Sequence, residues 1–176
     1  MGESLSDANI AALDLKIEAI DYKDEGALTT FLDLAEEYYR EEWPQEAAQN
    51  NWRERFRGLL IERCKTDPMR WLWLVRHESK LVGLAIFYVT GPEDARLATI
   101  GDLYVRGNYR HRHVGSLLLE KIRNEVANYK ATRLKATVGV DELGRVKFLE
   151  NNGFSVERLN MVLDLDNPTG DNDIDA

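Results

Sequence analysis

Hydrophobic and polar positions along this chain repeat in segments, and each segment has the period of one type of secondary structure. Residues 15–20 (LKIEAI) alternate as a strand does, and the helical spacing that follows predicts a first helix capped by Asp24. A second helix is predicted after Pro44, with an apolar stripe, and Asp67 with the proline after it ends that helix. The stripe comprises Trp52, Phe56, Leu59, Leu60 and Cys64.

The second half of the chain predicts a sheet with helices between its later strands. Residues 71–77 and 81–89 are apolar runs around the polar residues 78–80, a pattern typical of a β-hairpin. The predicted order is β-α-α-β-β-β-α-β-α-β, which indicates an α/β fold with a mixed central sheet. The later elements are strands at 98–105, 133–138 and 154–165, a helix with apolar residues at Val114, Leu118, Ile122 and Val126, and a helix at 142–151.

The composition indicates a soluble protein of one domain. The chain has 176 residues, of which 44% are hydrophobic and 31% charged, and its apolar runs are shorter than the ~18 residues that span a membrane. Its first residues have neither the basic nor the apolar region of a secretory signal. Cys64 is its one cysteine, which excludes an internal disulfide and favours the cytoplasm. We expect a domain at 13–166, with disordered residues 1–12 and an acidic flexible tail at 167–176.

A basic cluster stands out in this acidic chain, whose formal net charge is −8. Four cationic or titratable residues, at positions 110–113, directly precede the helix that begins at Val114. The N-terminus of a helix carries free N–H groups and a favourable dipole, so the cluster predicts an anion site; the alternative is an exposed basic loop without a ligand. The negative balance argues against nucleic-acid binding and favours a cationic substrate.

The residues around this cluster resemble a known family. The segment DLYVRGNYRHRHVGSLLLEKI, 102–122, is similar to the acyl-CoA loop of the GNAT-type N-acetyltransferase superfamily, where Arg or Gln is followed by x-x-Gly-x-Gly or Ala. Here Arg110 to Gly115 matches that motif. The segment KFLENNGF, 147–154, resembles the family's later helix, and the order of elements agrees from about residue 15 to 165. The resemblance implies a GNAT-like fold over the expected domain.

The resemblance also implies how acetyl-CoA binds as the acyl donor, without a metal. Loop amides would hold the pyrophosphate, and the preceding strand would pair with the pantetheine arm through main-chain groups. The thioester would enter a gap between strands 98–105 and 133–138, where a main-chain N–H near Leu103 would polarise its carbonyl. The donor-binding residues are then Leu103, Tyr104, Val105, Arg110, His111, Arg112, His113, Val114, Gly115 and Ser116.

The chain departs from the family pattern at two positions. His113 replaces the first glycine of the motif, where its side chain either crowds the phosphate or contacts it. Leu149 replaces the tyrosine that often protonates the departing thiolate. Tyr104 is a candidate substitute acid, predicted on the same strand face as Asp102; the alternative is that Tyr104 packs against the following helix.

The acceptor side is predicted from Asp102 and from the segment EEYYREEWPQE, 36–46. Asp102 would take a proton from an amine or anchor a cationic amine; otherwise it is a solvated carboxylate. In the family the segment that joins the first two helices covers the acceptor, and here it combines carboxylates with aromatic rings. The alternative is an amphipathic helix whose tyrosines join the core. The predicted acceptor residues are Glu37, Tyr38, Glu41 and Trp43.

Three functions follow from these features, in decreasing order of support. The first is transfer of an acetyl group from acetyl-CoA to a primary amine, either a small cationic amine or a protein amine, by direct attack. The second is a catalytically weak or silent acyl-CoA-binding module, indicated by His113 and Leu149. The third is nucleic-acid binding by the basic loop, which the acidic composition disfavours. We expect a cytoplasmic protein without a membrane partner, and a homodimer is left open.

Overall fold

The strands and helices follow the predicted order in the computed structural model, which describes residues 14–67, 69–139 and 142–157. The α/β fold class is confirmed, and the short helix α2 was not predicted. The elements are β1 (Leu15–Ala19), α1 (Glu25–Glu42), α2 (Pro44–Ala47), α3 (Trp52–Thr66), β2 (Arg70–His77), β3 (Lys80–Thr90), β4 (Leu97–Val105), α4 (Val114–Asn128), β5 (Arg133–Ala136) and α5 (Leu143–Asn151).

The predicted ends of the domain lie mostly outside the described residues. Residues 154–157 are in neither helix nor strand, and the rest of the predicted last strand, 158–165, lies outside them. The same holds for residues 1–12 and 167–176, so the predicted domain limits stay predictions.

The strands form a mixed sheet in the order β1-β2-β3-β4-β5. Neighbours are antiparallel from β1 to β4, and β5 runs parallel to β4. The β2–β3 hairpin is confirmed with a turn one residue shorter than predicted, because Lys80 already pairs with His77. Glu78 takes the positive φ of 55° that such a tight turn requires.

Helices cover both faces of this sheet. On one face, α1 and α3 pack over alternate residues of β2 and β3, and Asp24 caps α1 as predicted by accepting from the N–H groups of Gly26 and Ala27. On the other face, the ring of Trp71 lies 4.9 Å from that of Tyr129 at the end of α4. All four predicted apolar residues of α4 are buried, which confirms its inward stripe.

The predicted stripe of α3 is wrong at one position. Trp52 and Leu60 are buried, but the side chain of Leu59 is 51% exposed. Residues 52, 56 and 60 follow one another at four-residue spacing along the face toward the core, and Leu59 lies about 100° around the helix from Leu60. Cys64 is half-buried, and this burial raises the pKa of its thiol.

The chain divides into two compact units, residues 1–137 and 138–176. The sheet with α1 to α4 belongs to the first unit, and α5 belongs to the second. Helix α5 ends as predicted, because Gly153 follows it with a φ of +83° and the N–H of Phe154 donates to the carbonyl of Leu149. The leucine that replaces the family's tyrosine therefore lies in the last turn of α5.

We predict that Gly83→Ala destabilises the protein by about 1–3 kcal/mol, as overpacking in a core does. A Cβ atom at Gly83 would lie 2.5 Å from the carbonyl oxygen of Tyr104, so β3 or β4 would have to shift. The matched control is Gly58→Ala in α3, whose added Cβ meets no atom within 4 Å and which we expect to stabilise the helix by about 0.5–1 kcal/mol. Urea unfolding measures both changes, and equal effects at the two positions would contradict the packing described.

Candidate functional site

A β-bulge in β4 decides which of its side chains face α1. Ile86 pairs with Asp102 and Phe87 pairs with Ile100, so Gly101 is an extra residue in β4. Such a residue interrupts the alternation of a strand. Ile100 therefore shares a face with Phe87, on the α4 side, and Asp102 shares a face with Ile86, on the α1 side. The bulge turns the carboxylate of Asp102 toward the first helix.

The edge of β4 that faces β5 is covered along only part of its length. In the described part of the chain, β5 pairs with residues 97–100 of β4, and the strand continues to Val105. The N–H of Arg106 donates to Val82 on β3 over 2.9 Å. The backbone groups of successive strand residues point to opposite edges, so those of residues 106 and 104 face β3. The backbone groups of Leu103 and Val105 therefore point away from β3. This is the geometry that the pairing of an extended ligand arm requires.

The loop after β4 ends in a helix whose first N–H groups are available to a ligand. Helix α4 begins at Val114, and His113 makes no side-chain capping hydrogen bond to it. The first intrahelical bond to this residue comes from Leu117, which donates to its carbonyl. The N–H groups of residues 114–116 are those that a helix leaves without partners, and they attract anions.

Two histidines of this loop adopt a backbone conformation that favours glycine. The φ angles of His111 and His113 are 60° and 62°. For a residue with a side chain, this left-handed conformation costs roughly 1–2 kcal/mol. At His113 the motif that this loop resembles has glycine, the residue that adopts a positive φ at the lowest cost. Both side chains are exposed.

The two arginines of the loop have different partners. Arg110 donates from Nε to the carbonyl of Val105 over 2.8 Å and from Nη2 to Glu41 over 2.6 Å. Arg112 is exposed, and its guanidinium lies 5.8 Å from the centre of the Tyr109 ring. The first arginine of the motif is therefore directed toward α1.

Tyr104 joins β4 to the acidic side of α1. Its side chain is only 3% exposed, and its ring centre lies 4.9 Å from that of Tyr38. Its hydroxyl donates to Glu41 over 2.8 Å, and its oxygen lies 3.3 Å from Glu37. Burial, together with these two carboxylates, raises the pKa of Tyr104. The raised pKa makes this phenol harder to ionise than an exposed tyrosine, and its neighbour is α1 and not the following helix, as the sequence alternative had it.

Asp102 lies beside Tyr39, one of the aromatic residues of the predicted acceptor segment. The hydroxyl of Tyr39 is hydrogen-bonded to Asp102, and burial, followed by the charges of Asp102 and Glu46, raises the pKa of Tyr39. The ring of Tyr39 packs against Trp43 and Trp52 at centroid distances of 5.0 and 4.8 Å. Asp102 therefore lies where β4 meets an aromatic cluster, and it is a hydrogen-bonded carboxylate.

The acidic residues of α1 are paired with arginines. Arg106 makes a two-pronged ion pair with Glu37, with 2.8 Å between its Nε and Oε1, and also donates to the carbonyl of Leu81. Glu36 pairs with Arg40 and Arg53. The negative segment that the sequence indicates is thus partly neutralised by neighbouring cations.

The structure brings most of the predicted site residues together in the first unit. Tyr104 meets Glu37, Tyr38 and Glu41, and the ring of Trp43 lies 5.2 Å from that of Tyr38. Tyr38 is 3% exposed, so it contributes to the core of this unit.

Sequence reasoning missed Arg106, and it counted Tyr39 among the aromatic rings of the acceptor segment without giving it a partner. Tyr39 adjoins a predicted acceptor residue, and Arg106 directly follows β4, but only the folded chain shows their partners.

Two negative findings concern the described residues alone. None of their helices is long and apolar enough to cross a membrane. Residues 14–67, 69–139 and 142–157 also include no group of three or more His, Cys, Asp or Glu side chains arranged to hold a metal ion.

Comparison with known proteins places these features in a family context. The family model "Acetyltransferase (GNAT) family" matches residues 28–154, which is most of the chain. No curated protein sequence matches the chain.

Solved structures resemble the fold at low sequence identity. An aminoglycoside acetyltransferase from an uncultured soil metagenomic sample, in complex with sisomicin, has a TM-score of 0.64 at 18% identity, covering 85% of this chain and 93% of its own. The protein AAC(6')-Iy, in complex with the bisubstrate analogue CoA-S-monomethyl-acetylneamine, has a TM-score of 0.63 at 13% identity, with 85% and 97% covered. Glucosamine-6-phosphate N-acetyltransferase from Arabidopsis thaliana has a TM-score of 0.60 at 15% identity, with 86% and 98% covered. At these identities the likeness concerns the fold.

We predict that His113→Gly is more stable than His113→Ala by about 0.5–1 kcal/mol. Both variants lack the imidazole, but only glycine removes the cost of the positive φ. This gain in stability is partly offset because glycine has more conformational freedom in the unfolded chain. Urea unfolding of the two variants measures the difference. Equal stabilities would contradict the left-handed backbone at this position.

We also predict that Tyr39 makes stability fall as the pH rises above about 10. The pKa of Tyr39 is raised in the folded protein above its ordinary value of 10.0, so the folded state keeps a proton that the unfolded state loses. The contribution of Tyr39 to the free energy of unfolding is complete below pH 10, and it is lost as the pH rises toward the pKa of Tyr39 in the folded protein. The free energy of unfolding should therefore decline less steeply in Tyr39→Phe than in the unaltered protein over about pH 9–11. Identical declines would contradict the raised pKa.

Proposed function

This chain belongs to the GNAT acetyltransferase family, and on that premise we propose that it transfers an acetyl group from acetyl-CoA to a primary amine by direct attack. One observation carries the proposal. The edge of β4 is free of β5 beyond Ile100, and the same strand leads into a loop and an uncapped helix N-terminus. The strand edge can pair with an extended arm, and the helix N-terminus that follows it along the chain can hold a phosphate group.

The donor is proposed to bind through main-chain groups. The outward edge of β4 at Leu103 and Val105 suits the pantetheine arm, and the N–H groups of Val114, Gly115 and Ser116 suit the pyrophosphate. Acetyl-CoA, the family's acyl donor, supplies an activated thioester. An N–H near Leu103 is well placed along the chain to stabilise negative charge on the acetyl oxygen. The basic side chains at 110–113 add positive charge to this loop.

The acceptor is proposed to lie between β4 and the end of α1. A cationic amine would be attracted by the carboxylates of Glu37 and Glu41 and by the nearby ring of Trp43, with Tyr38 fixing that ring from the core. Asp102 is our candidate to anchor the amine or take its proton, because the bulge turns it toward α1 and the hydroxyl of Tyr39 orients it.

Tyr104 is our candidate for the proton donor to the thiolate, since Leu149 offers no acidic group. The phenol is protonated near neutral pH, but its raised pKa makes it a weaker acid and its hydroxyl is bonded to Glu41. Donation to a thiolate therefore requires that this bond be exchanged. A thiolate is a good leaving group, so we expect the loss of this acid to slow transfer and not to abolish it.

A catalytically silent CoA-binding module is the second candidate. Two observations favour it: the strained His113 where the family has glycine, and the bond that holds the Tyr104 hydroxyl on Glu41. In that case donor binding would be retained and turnover would be absent.

We predict CoA-thiol release when the protein is mixed with acetyl-CoA and a panel of primary amines. We expect Asp102→Asn to lower kcat/KM by about 10²-fold or more, because general base catalysis or anchoring is lost. The control is Asp94→Asn, which removes an exposed carboxylate from the turn before β4 and should leave the rate unchanged. Tight CoA binding without thiol release above background, on any amine tested, would contradict the transferase and support the silent module.

A further inference from the structure

Arg110 is bonded to both halves of the proposed site. Its Nε donates to the carbonyl of Val105, on the strand edge proposed for the donor, and its Nη2 donates to Glu41, proposed for the acceptor. The guanidinium also lies 5.7 Å from the ring centre of Tyr104, whose hydroxyl donates to the other oxygen of Glu41. A second carboxylate, that of Glu42, lies 3.6 Å from Nη2.

These contacts are strong enough to fix the side chain and weak enough to be exchanged. The side chains of Arg110 and Glu41 are 39% and 40% exposed, and ion pairs with this much solvent contribute at most about 1 kcal/mol. A pyrophosphate offers several anionic oxygens that match a guanidinium better than a single carboxylate does. Arg110 lies in the loop between β4 and α4, four residues before Val114, the first residue of α4.

We propose that Arg110 is a positioning residue that couples the two substrate sites by exchanging Glu41 for the phosphates of the donor. This inference rests on the proposed function. The arrival of the donor takes Arg110 away from Val105 and Glu41. The Val105 carbonyl then becomes available to the pantetheine arm, and Glu41 becomes available to a cationic amine. Binding of the donor thereby creates part of the acceptor site.

The exchange has a thermodynamic consequence that can be measured without turnover. Glu41 and the donor phosphates compete for one guanidinium, so Glu41 weakens donor binding as long as Arg110 is present. Removal of the charge of Glu41 should therefore tighten the binding of CoA. By the same coupling, a bound donor should strengthen the binding of an amine that uses Glu41.

The experiment is a double-mutant cycle read by calorimetric titration of the full chain with CoA. We expect Glu41→Gln to lower the Kd of CoA roughly two- to five-fold, the size expected for a half-exposed ion pair. Arg110→Gln should raise that Kd about ten-fold, since a charge-assisted contact to phosphate is lost. In the double variant, Glu41→Gln should give no further tightening.

The matched control is Glu36→Gln, which removes the same charge from the same helix. Glu36 is paired with Arg40 and Arg53 and not with the loop, so its replacement reports only the general effect of charge on an anionic ligand. The coupling is supported if Glu41→Gln tightens CoA binding more than Glu36→Gln does, and only when Arg110 is present.

The remaining outcomes separate the coupling from the proposed function. Equal effects of the two glutamate variants, or tightening by Glu41→Gln that persists without Arg110, would overturn the coupling alone. Failure of the unaltered protein to bind CoA would overturn the proposed function itself.

Discussion

The interrupted pairing of β4 is the constraint on which the rest of the candidate site depends. One extra residue, Gly101, changes the face on which the following side chains lie, and β5 ends its pairing one residue earlier, at Ile100. From that point the strand has a backbone edge without β5 and has side chains directed toward α1. A regular strand in a fully paired sheet would offer neither the edge nor the placement of Asp102 beside Tyr39.

Charge distribution explains how an acidic chain accommodates a basic loop. Two carboxylates on the last turns of α1 form ion pairs with arginines that follow β4: Glu37 with Arg106, and Glu41 with Arg110. The phenol of Tyr104 also donates to Glu41. These exposed pairs contribute little to stability, but they fix the positions of the charged groups around Tyr104.

Local periodicity predicts most of the elements, although not the short helix α2, and long-range contacts explain much of what it misses. The four-residue spacing from Val114 to Val126 identified the buried face of α4 because that spacing is a property of the helix itself. The bulge at Gly101 depends on register with β3, so strict alternation could not locate it. The pairing of Arg110 with Glu41 joins residues 69 positions apart, and no short motif records such a contact. Leu59 was assigned to the core because apolar character alone does not show which part of a helix is covered.

The family relationship and the site geometry answer different questions. Family membership gives the fold and the acetyltransferase class. Solved structures at 13–18% identity share the architecture, although one is a complex with sisomicin and another is a glucosamine-6-phosphate N-acetyltransferase. What distinguishes this chain is found in its own residues: histidine in the left-handed turn of the loop, leucine in place of the usual tyrosine, and a tyrosine–carboxylate contact on β4. Under the proposed function, acceptor specificity would follow from the residues of β4 and α1 that contact each other.

Amide chemical-shift mapping by NMR during titration with CoA tests the placement of the donor most directly. Our account predicts that the N–H signals of Leu103, Val105 and residues 114–116 shift or broaden together, as the strand edge and the helix N-terminus bind one ligand. Signals at these positions that stay unchanged while CoA binds, with perturbations confined to another part of the chain, would contradict it.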